Sequence, residues 1–270
     1  MSKPGNVFFI KGPEGGEKPD IEVAVVYFRA GYTPEEYDED RSQFRIRVLM
    51  EKSKAIVCPT FALQLAGAKK VQQVLTEPGV LESFLLDENR GDTGFGEGAG
   101  WLTPEWCKII RSTWVNMWPL DDTEMGKEGL ALAMAHPENF VMKPQREGGG
   151  NNIYRTDIPP ALEKMSGQLL KNGRCPWEQY VLMELIQPPQ GVYNYLVKGG
   201  EDYRKVEVVS ELGIYGTIQF GIPGKIRNKR GGILLRTKAK TSDEGGVAIG
   251  TYKPKPTGLF LVMRFMLTLP

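Results

Sequence analysis

A short apolar run that ends in a charged, glycine-rich loop is the feature that most constrains how this chain can fold. Residues 140–144 are Phe-Val-Met-Lys-Pro, and three consecutive glycines follow at 148–150. Glycine has no Cβ, so this backbone can adopt positive φ and place its N–H groups against an anion. Lys143 adds a cation, and Glu147 adds a carboxylate of the kind that holds Mg2+ beside nucleotide phosphates. The pattern predicts a strand followed by a phosphate-binding loop.

The same residues are also compatible with an ordinary hairpin turn. Glycine and asparagine both tolerate left-handed conformations, and Asn151 and Asn152 follow the glycines directly. A simple turn, however, gives no reason for Lys143, Arg146 and Glu147 to flank it. The charged flank therefore favours anion binding over a turn.

The loop and several other segments resemble one family. Residues 143–152, Lys-Pro-Gln-Arg-Glu-Gly-Gly-Gly-Asn-Asn, are similar to the glycine-rich ATP loop of eukaryotic-type glutathione synthetase, a member of the ATP-grasp superfamily. Further blocks follow the order of that family at residues 29–32, 64–73, 180–186, 210–216, 235–238 and 245–248. The resemblance implies an α/β (α+β) fold that contains an ATP-grasp domain and part of an α/β substrate-binding domain.

The resemblance also implies a division of the chain. Residues 1–20 are rich in glycine and proline and are predicted to be disordered. Residues 21–68 correspond to the end of the substrate-binding domain, and residues 69–250 to the ATP-grasp domain, with the glycine-rich loop at 143–154. Residues 251–270 are a divergent tail, apolar but too short to span a bilayer.

Composition limits the possible functions. There are 34 lysines and arginines against 33 aspartates and glutamates, and this balance predicts neither nucleic acid nor a membrane as a partner. Cys58, Cys107 and Cys175 form no CxxC pair or disulfide framework, which is typical of a reducing compartment. A single histidine, His136, excludes a multi-histidine zinc site and is predicted to end a helix. Without an N-terminal apolar run, a cytoplasmic location is predicted.

Hydrophobic patterns predict the secondary structure. Residues 21–28 are rich in valine, as in a buried parallel strand, and Thr33 with Pro34 predicts the start of a helix that reaches Lys52. A strand at 55–58 and a helix at 66–75 complete this region. The remaining predicted elements are a helix that begins at Pro159 and strands at 180–185, 205–220 and 233–238, with a possible turn across residues 221–224.

Two further patterns are weak. Residues 94–99 match the relaxed dinucleotide fingerprint GxGxxA, but no strand precedes them and no acidic residue ends a second strand at the required distance. Four tryptophans fall in one stretch, at Trp101, Trp106, Trp114 and Trp118. Because they lack a basic surround, they are predicted to anchor a core rather than to stack on bases.

The reaction of the family joins a carboxylate to an amine at the expense of ATP. Phosphorylation of the γ-glutamylcysteine carboxylate gives an acyl phosphate, which the amine of glycine attacks. Such a site must neutralise a triphosphate with Mg2+, align the carboxylate with the γ-phosphorus and exclude water. The resemblance therefore implies ATP, γ-glutamylcysteine and glycine as ligands, and glutathione as the product.

The resemblance also assigns roles to individual residues. Catalytic roles go to Lys143 and Arg236, and the metal ligand is Glu147. The residues predicted to contact ATP are Lys69, Lys143, Pro144, Gln145, Arg146, Glu147, Gly148, Gly149, Gly150, Asn151, Asn152, Tyr154, Met183, Glu184, Leu185, Ile186, Glu211, Lys238 and Glu244. The residues predicted to contact the peptide substrate are Arg29, Ala30, Gly31, Tyr32, Arg236, Val247 and Ala248.

In the family, a long segment before the strand at residue 21 supplies further Mg2+ ligands, further peptide contacts and much of the homodimer surface. This sequence does not include that segment. The alternative to an active ligase is therefore a truncated, non-catalytic nucleotide-binding product of the same gene family.

Overall fold

A computed structural model describes residues 9–10, 21–31, 36–38, 40, 42–86, 103–145, 151–196, 204–222 and 225–241. Helices and strands are mixed along the chain, as predicted for an α/β protein. The chain divides into two compact units, Met1–Ile186 and Gln187–Pro270. The predicted functional boundary after residue 68 lies inside the first unit and stays a prediction. Within the described ranges, no helix is both long and apolar enough to cross a membrane.

The first unit begins with two small sheets. Strand β1 (Phe9–Ile10) pairs antiparallel with β2 (Ile21–Glu22), so the segment predicted to be disordered is not wholly without structure. Strand β3 (Val25–Tyr27) pairs parallel with β4 (Ile56–Cys58), and α1 (Ser42–Glu51) connects them. The strand predicted over residues 21–28 is therefore interrupted.

Thr33 and Pro34, the predicted start of the first helix, lie outside the described residues, but a single helix from there to Lys52 was wrong, because residues 37 and 38 are not helical and α1 begins at Ser42. In the intervening part, the carboxylate of Glu36 accepts a hydrogen bond from the N–H of Gly31, 2.8 Å away, and residue 36 is outside any α-helix. A contact with the preceding turn thus competes with the local helix signal.

The burial predicted for β3 was also wrong. Val25 is 55% exposed and Tyr27 is 69% exposed. A parallel strand becomes buried only when neighbouring strands and helices cover both of its faces. The described sheet around β3 contains only two strands. The valine-rich sequence of residues 21–28 is therefore compatible with burial but does not by itself produce it.

In the described part of the chain that follows β4, four short helices precede the central sheet. They are α2 (Phe61–Ala66), α3 (Lys69–Thr76), α4 (Val80–Leu85) and α5 (Pro104–Ser112). The single helix predicted over residues 66–75 is two helices, because Ala68 adopts an extended conformation with ψ 148° before α3. The break separates α2 from the lysines at the start of α3.

An antiparallel sheet of four strands forms the centre of the first unit. It contains β5 (Met117–Pro119), β6 (Phe140–Pro144), β7 (Ile153–Tyr154) and β8 (Tyr180–Glu184), in the order β5-β8-β6-β7. Helices α6 (Glu124–Ala135) and α7 (Ile158–Met165) supply core residues beside the sheet. The core consists of Leu120, Ala133, Phe140, Met142, Ile158, Leu162 and Leu182.

Of the predictions for His136 and for the tryptophans of this unit, some were confirmed and one was wrong. His136 is the C-cap of α6, as predicted for the single histidine. Trp118 packs against the core. Its ring and the ring of Phe140 form a T-shaped pair, with 5.7 Å between the two centroids. Trp106, however, is 45% exposed on α5, so its predicted role as a core anchor was wrong. Trp101 lies outside the described residues.

The second unit is an antiparallel sheet in the order β11-β10-β9. Its strands are β9 (Tyr193–Leu196), β10 (Arg204–Ile222) and β11 (Lys225–Ala239). Pairing of Ile222 with Lys225 confirms the predicted hairpin, although β11 is longer than predicted.

Candidate functional site

The glycine loop closes a hairpin between β6 and β7. Met142 and Ile153 are the last residues of β6 and β7 that pair with each other. Residues 143–152 lie between them, and this stretch is far longer than an ordinary two-residue turn. Pro144 and Gln145 lead into it, and Asn151 follows it. The loop residues Arg146, Glu147, Gly148, Gly149 and Gly150 lie outside the described residues.

Strand register brings three of the predicted nucleotide residues to one face of the central sheet. Lys143 lies two residues from Val141 on β6, and Val141 pairs with Tyr154 on one side and Met183 on the other. Side chains of directly paired residues share a face, and alternate residues of a strand share a face. Lys143, Tyr154 and Met183 therefore share one face, opposite the core side chain of Met142. Each of the three is half-buried.

Gln145 attaches the loop to α3. Its backbone O accepts a hydrogen bond from the N–H of Lys69 at 3.1 Å, and its side-chain Oε1 accepts one from the N–H of Lys70 at 2.6 Å. These bonds satisfy two N–H groups that the first turn of a helix leaves unpaired. Gln145, predicted to contact ATP, thus caps α3 and holds Lys69 at the root of the loop. The Nζ of Lys69 lies 3.3 Å from Oε1 of Gln72.

A polar cavity of about 310 Å3 lies beside the loop root. In this cavity Lys70 forms an ion pair with Asp121 at 3.4 Å, and Arg174 forms one with Glu178 at 3.8 Å. Partial burial would raise the pKa of Asp121, but hydrogen bonds from Thr123 and the charge of Lys70 together lower it. Each carboxylate of the cavity thus has a cationic partner, Lys70 for Asp121 and Arg174 for Glu178.

Residues 183–186, which are predicted to contact ATP, have part of their backbone in hydrogen bonds within the protein. The N–H of Glu184 donates to the O of Asn116 at 3.1 Å, and the N–H of Leu185 donates to the O of Asn139 at 2.8 Å. The carboxylate of Glu184 accepts two hydrogen bonds from Asn116. Ile186 is 73% exposed.

On the other side of the loop, Asn152 and Tyr154 contact each other. Asn152 Nδ2 donates to Tyr154 Oη at 3.1 Å. This contact orients two polar side chains that the resemblance assigns to ATP.

Residues 29–31, named the substrate turn for their predicted contact with the peptide, follow the carboxyl end of β3. Gly31 has φ +80°, a conformation that favours glycine. Its O accepts hydrogen bonds from Tyr37 Oη at 2.6 Å and from Gln64 Nε2 at 2.9 Å. Tyr32, the fourth predicted residue of this group, lies outside the described residues.

Arg47 fixes the base of the substrate turn. Its guanidinium lies between the rings of Phe28 and Phe61, 3.5 and 4.8 Å from their centroids, and its Nη2 donates to the O of Pro59 at 3.0 Å. The residue is buried, and Glu51 lies 3.6 Å from its Nε. A buried arginine between aromatic rings joins α1, β3 and α2.

In the second unit, register places the predicted site residues on one face of the β10–β11 hairpin. Glu211 pairs with Arg236, and Lys238 lies two residues further along β11. Arg236 Nη2 donates to Glu211 Oε1 at 2.5 Å, and this hydrogen bond and the charge of Glu211 raise the pKa of Arg236. Glu244, Val247 and Ala248 lie outside the described residues.

Sequence reasoning missed the residues that support the turn and the loop root. Tyr37, Gln64 and Asp121 were not singled out, and Arg47 was not either. Most of their contacts join residues that are far apart in the chain, so no local sequence pattern predicts these contacts. The described residues contain no group of three or more His, Cys, Asp or Glu side chains that could hold a metal ion.

Comparisons with known proteins agree with these features. A family model described as eukaryotic glutathione synthase, ATP binding domain, matches residues 18–252. The glutathione synthetase large chain of Schizosaccharomyces pombe is 44% identical over 233 residues, which cover 85% of this chain and 41% of that protein. Glutathione synthetase of Mus musculus is 40% identical over 231 residues, covering 86% and 44%. A chloroplastic glutathione synthetase of Solanum lycopersicum is 42% identical over 228 residues, covering 84% and 37%.

Among solved structures, a glutathione synthetase like-effector (GSS30) from Globodera pallida in its apo form aligns with a TM-score of 0.48. Its identity is 21%, over 72% of this chain and 37% of that one. The chain spans about 40% of the length of the curated relatives named above. Because the family model matches most of its residues, the chain belongs to the eukaryotic glutathione synthase family through the ATP-binding domain.

Proposed function

We propose that this chain provides the ATP-binding part of a ligase that joins γ-glutamylcysteine and glycine to give glutathione through an acyl phosphate. Besides family membership, one contact carries the proposal: the N–H of Lys69 donates to the O of Gln145 at 3.1 Å. It holds the start of α3 against the root of the glycine loop, two residues after Lys143. Lys69 at the start of α3 and Lys143 in β6 are thus both next to the root of the loop, and both are proposed to contact the phosphates.

Each described group has a physical task in this reaction. Lys69 and Lys143 neutralise phosphate charge, since a triphosphate is stable in a site only beside cations. The face that carries Tyr154 and Met183 receives the nucleotide. In the second unit, the guanidinium of Arg236 donates to the carboxylate of Glu211. The same group suits the carboxylate of the peptide substrate, because both carboxylates present two oxygens to a planar guanidinium.

Magnesium would enter this site with ATP and neutralise charge on the transferring phosphate. The described carboxylates of the cavity beside Gln145 do not suit it, because Asp121 is engaged by Thr123 and Lys70, and Glu178 by Arg174. As the resemblance implies, we assign the protein part of the metal site to Glu147, with phosphate and water oxygens as the remaining ligands.

A second candidate is nucleotide binding without catalysis. The two candidates share the ATP site and differ only in whether ADP and phosphate form when γ-glutamylcysteine and glycine are added.

We place the activity in the cytoplasm, because Cys58, Cys107 and Cys175 are free thiols and a reducing compartment preserves them. The tomato relative is named chloroplastic, so the compartment differs among relatives of similar identity.

The test of the ATP site is Glu147→Gln, which keeps the shape of the side chain and removes its charge. We expect this change to weaken ATP binding by about 10-fold or more in the presence of Mg2+ and to change metal-free binding little. Isothermal titration with and without Mg2+ measures both affinities. Glu163→Gln, an exposed carboxylate on α7, is the matched control and should change neither.

Equal losses with and without Mg2+ would show that Glu147 has a structural role. Wild-type protein that binds no Mg-ATP at all would overturn both candidate functions.

A further inference from the structure

We propose that Gln64 is a positioning residue for the substrate turn, and that it holds this turn from the same helix pair that holds the root of the glycine loop. The inference rests on the proposed function, in which residues 29–32 contact γ-glutamylcysteine. It adds a residue to which neither the resemblance nor the relatives' names give a role.

The first step is the conformation of Gly31. Glycine adopts its φ of +80° without strain, so the position of this peptide group is set by the hydrogen bonds that it makes. Glu36 accepts from its N–H at 2.8 Å, and Tyr37 donates to its O at 2.6 Å, but both lie five or six residues away and belong to the same connection. Gln64 donates to the same O at 2.9 Å from 33 residues away. It therefore ties the turn to a separate element, α2.

The second step is the other end of that element. After α2, Gly67 N–H donates to Leu63 O at 3.2 Å and Ala68 N–H donates to Leu65 O at 3.0 Å, which fixes the link to α3. The first two amides of α3 then donate to Gln145, at its backbone O and at Oε1. One continuous segment, residues 60–70, thus contacts the substrate turn at one end and the loop root at the other.

The chemistry explains why such a link matters. Transfer of a phosphoryl group requires the peptide carboxylate to lie in line with the γ-phosphorus, and misplacement of about 1 Å costs about 100-fold in rate. A turn held only by its own connection could move as a unit, whereas the bond from Gln64 sets its place relative to α3. Loss of Gln64 should affect the peptide and spare the nucleotide, because the Gln145 contacts do not involve it.

The test uses Gln64→Leu, which keeps approximate size and removes the donor, in the 270-residue chain. Calorimetry measures the Kd for γ-glutamylcysteine and for Mg-ATP, and mass spectrometry follows trypsin cleavage after Arg29 without ligand. We expect a Kd for the peptide about 5-fold to 10-fold higher, as for loss of one hydrogen bond. The Kd for Mg-ATP should stay unchanged, and cleavage after Arg29 should be faster.

Gln168→Leu is the matched control, because Gln168 is exposed and its side chain donates to the nearby O of Lys164 at 2.6 Å. It should change none of the three readouts. Equal weakening of both ligands in Gln64→Leu would mean a general folding role and would overturn the proposal. Unchanged cleavage after Arg29 would overturn it as well.

The two proposals fail in different ways. If the wild-type chain binds Mg-ATP and no γ-glutamylcysteine, the peptide part of the proposed function is wrong. Cleavage after Arg29 then still decides whether Gln64 holds the turn.

Discussion

At the scale of single residues, one glycine shows how closely the core elements approach. A Cβ on Gly129, in α6, would lie 2.8 Å from the Cβ of Trp118 and 2.9 Å from the O of Pro119. One of these neighbours is backbone and cannot move aside cheaply. Glycine here lets α6 pack directly on β5, next to the cavity at the loop root.

We expect Gly129→Ala to lower the free energy of unfolding by about 1–3 kcal/mol, because overpacking forces the helix away from the strand. Urea unfolding followed by tryptophan fluorescence measures the change. Gly232→Ala is the matched control, since a Cβ there meets nothing within 4 Å and its φ is ordinary. A loss in the control as large as in Gly129→Ala would contradict the explanation.

At the scale of elements, Arg111 joins three helices. From α5 its Nε and Nη2 donate to the two carboxylate oxygens of Glu82 in α4, each at 2.7 Å. It also donates to the backbone O of Thr76 and of Glu77, at the end of α3. The hydrogen bonds from Arg111 lower the pKa of Glu82 to about 2. The far end of α3 is thereby fixed, as Gln145 fixes its start.

The pair of Glu82 and Arg111 makes the free energy of unfolding depend on pH. The folded pKa of Glu82, about 2, lies below its ordinary value of 4.5, so the pair stabilises the fold above pH 4.5, and this contribution is lost as the pH falls towards 2. We expect Glu82→Gln to be less stable than wild type at pH 7 and equal to it near pH 2. Chemical unfolding across this pH range measures the difference.

Glu128→Gln, which changes an exposed carboxylate in the middle of α6, is the control for that measurement. It should follow wild type at every pH. A constant difference between Glu82→Gln and wild type from pH 7 to pH 2 would show that the pair does not titrate as described.

At the scale of the whole molecule, the chain supplies cations more readily than metal ligands. Lys69 and Lys143 belong to the first unit, and Arg236 and Lys238 to the second. Of the acidic residues, only Glu147 is proposed as a magnesium ligand.

We therefore expect the 270-residue chain alone to bind Mg-ATP and to form no glutathione above background from γ-glutamylcysteine, glycine and ATP. Phosphoryl transfer relies on positioning and charge neutralisation, and a metal held by one protein carboxylate is poorly positioned. Mass spectrometry of the product and a phosphate assay measure turnover. Addition of the part of the fission-yeast relative that this chain does not match should increase it, and robust turnover by the chain alone would contradict this expectation.

Local signals predicted most elements and misplaced several boundaries. The strand before the glycine loop and the β10–β11 hairpin were predicted, because apolar runs and turn residues act within a few positions. The start of α1 and the break at Ala68 were not, because Glu36 binds Gly31 and Gln145 caps α3 across the sequence. The exposure of Val25 and Trp106 likewise depends on which layers surround them.

The sequence by itself determined the family, the glycine loop and the identity of the charged groups, because a linear motif is enough to specify chemical types. Only the tertiary structure decided which of these groups share a face, as Lys143, Tyr154 and Met183 do. It also decided that Arg236 binds Glu211, that Gln64 donates to the O of Gly31, and that Gln145 accepts from the N–H of Lys70. The physical reason is that strand register and hydrogen bonds between distant residues depend on packing, which no local spacing encodes.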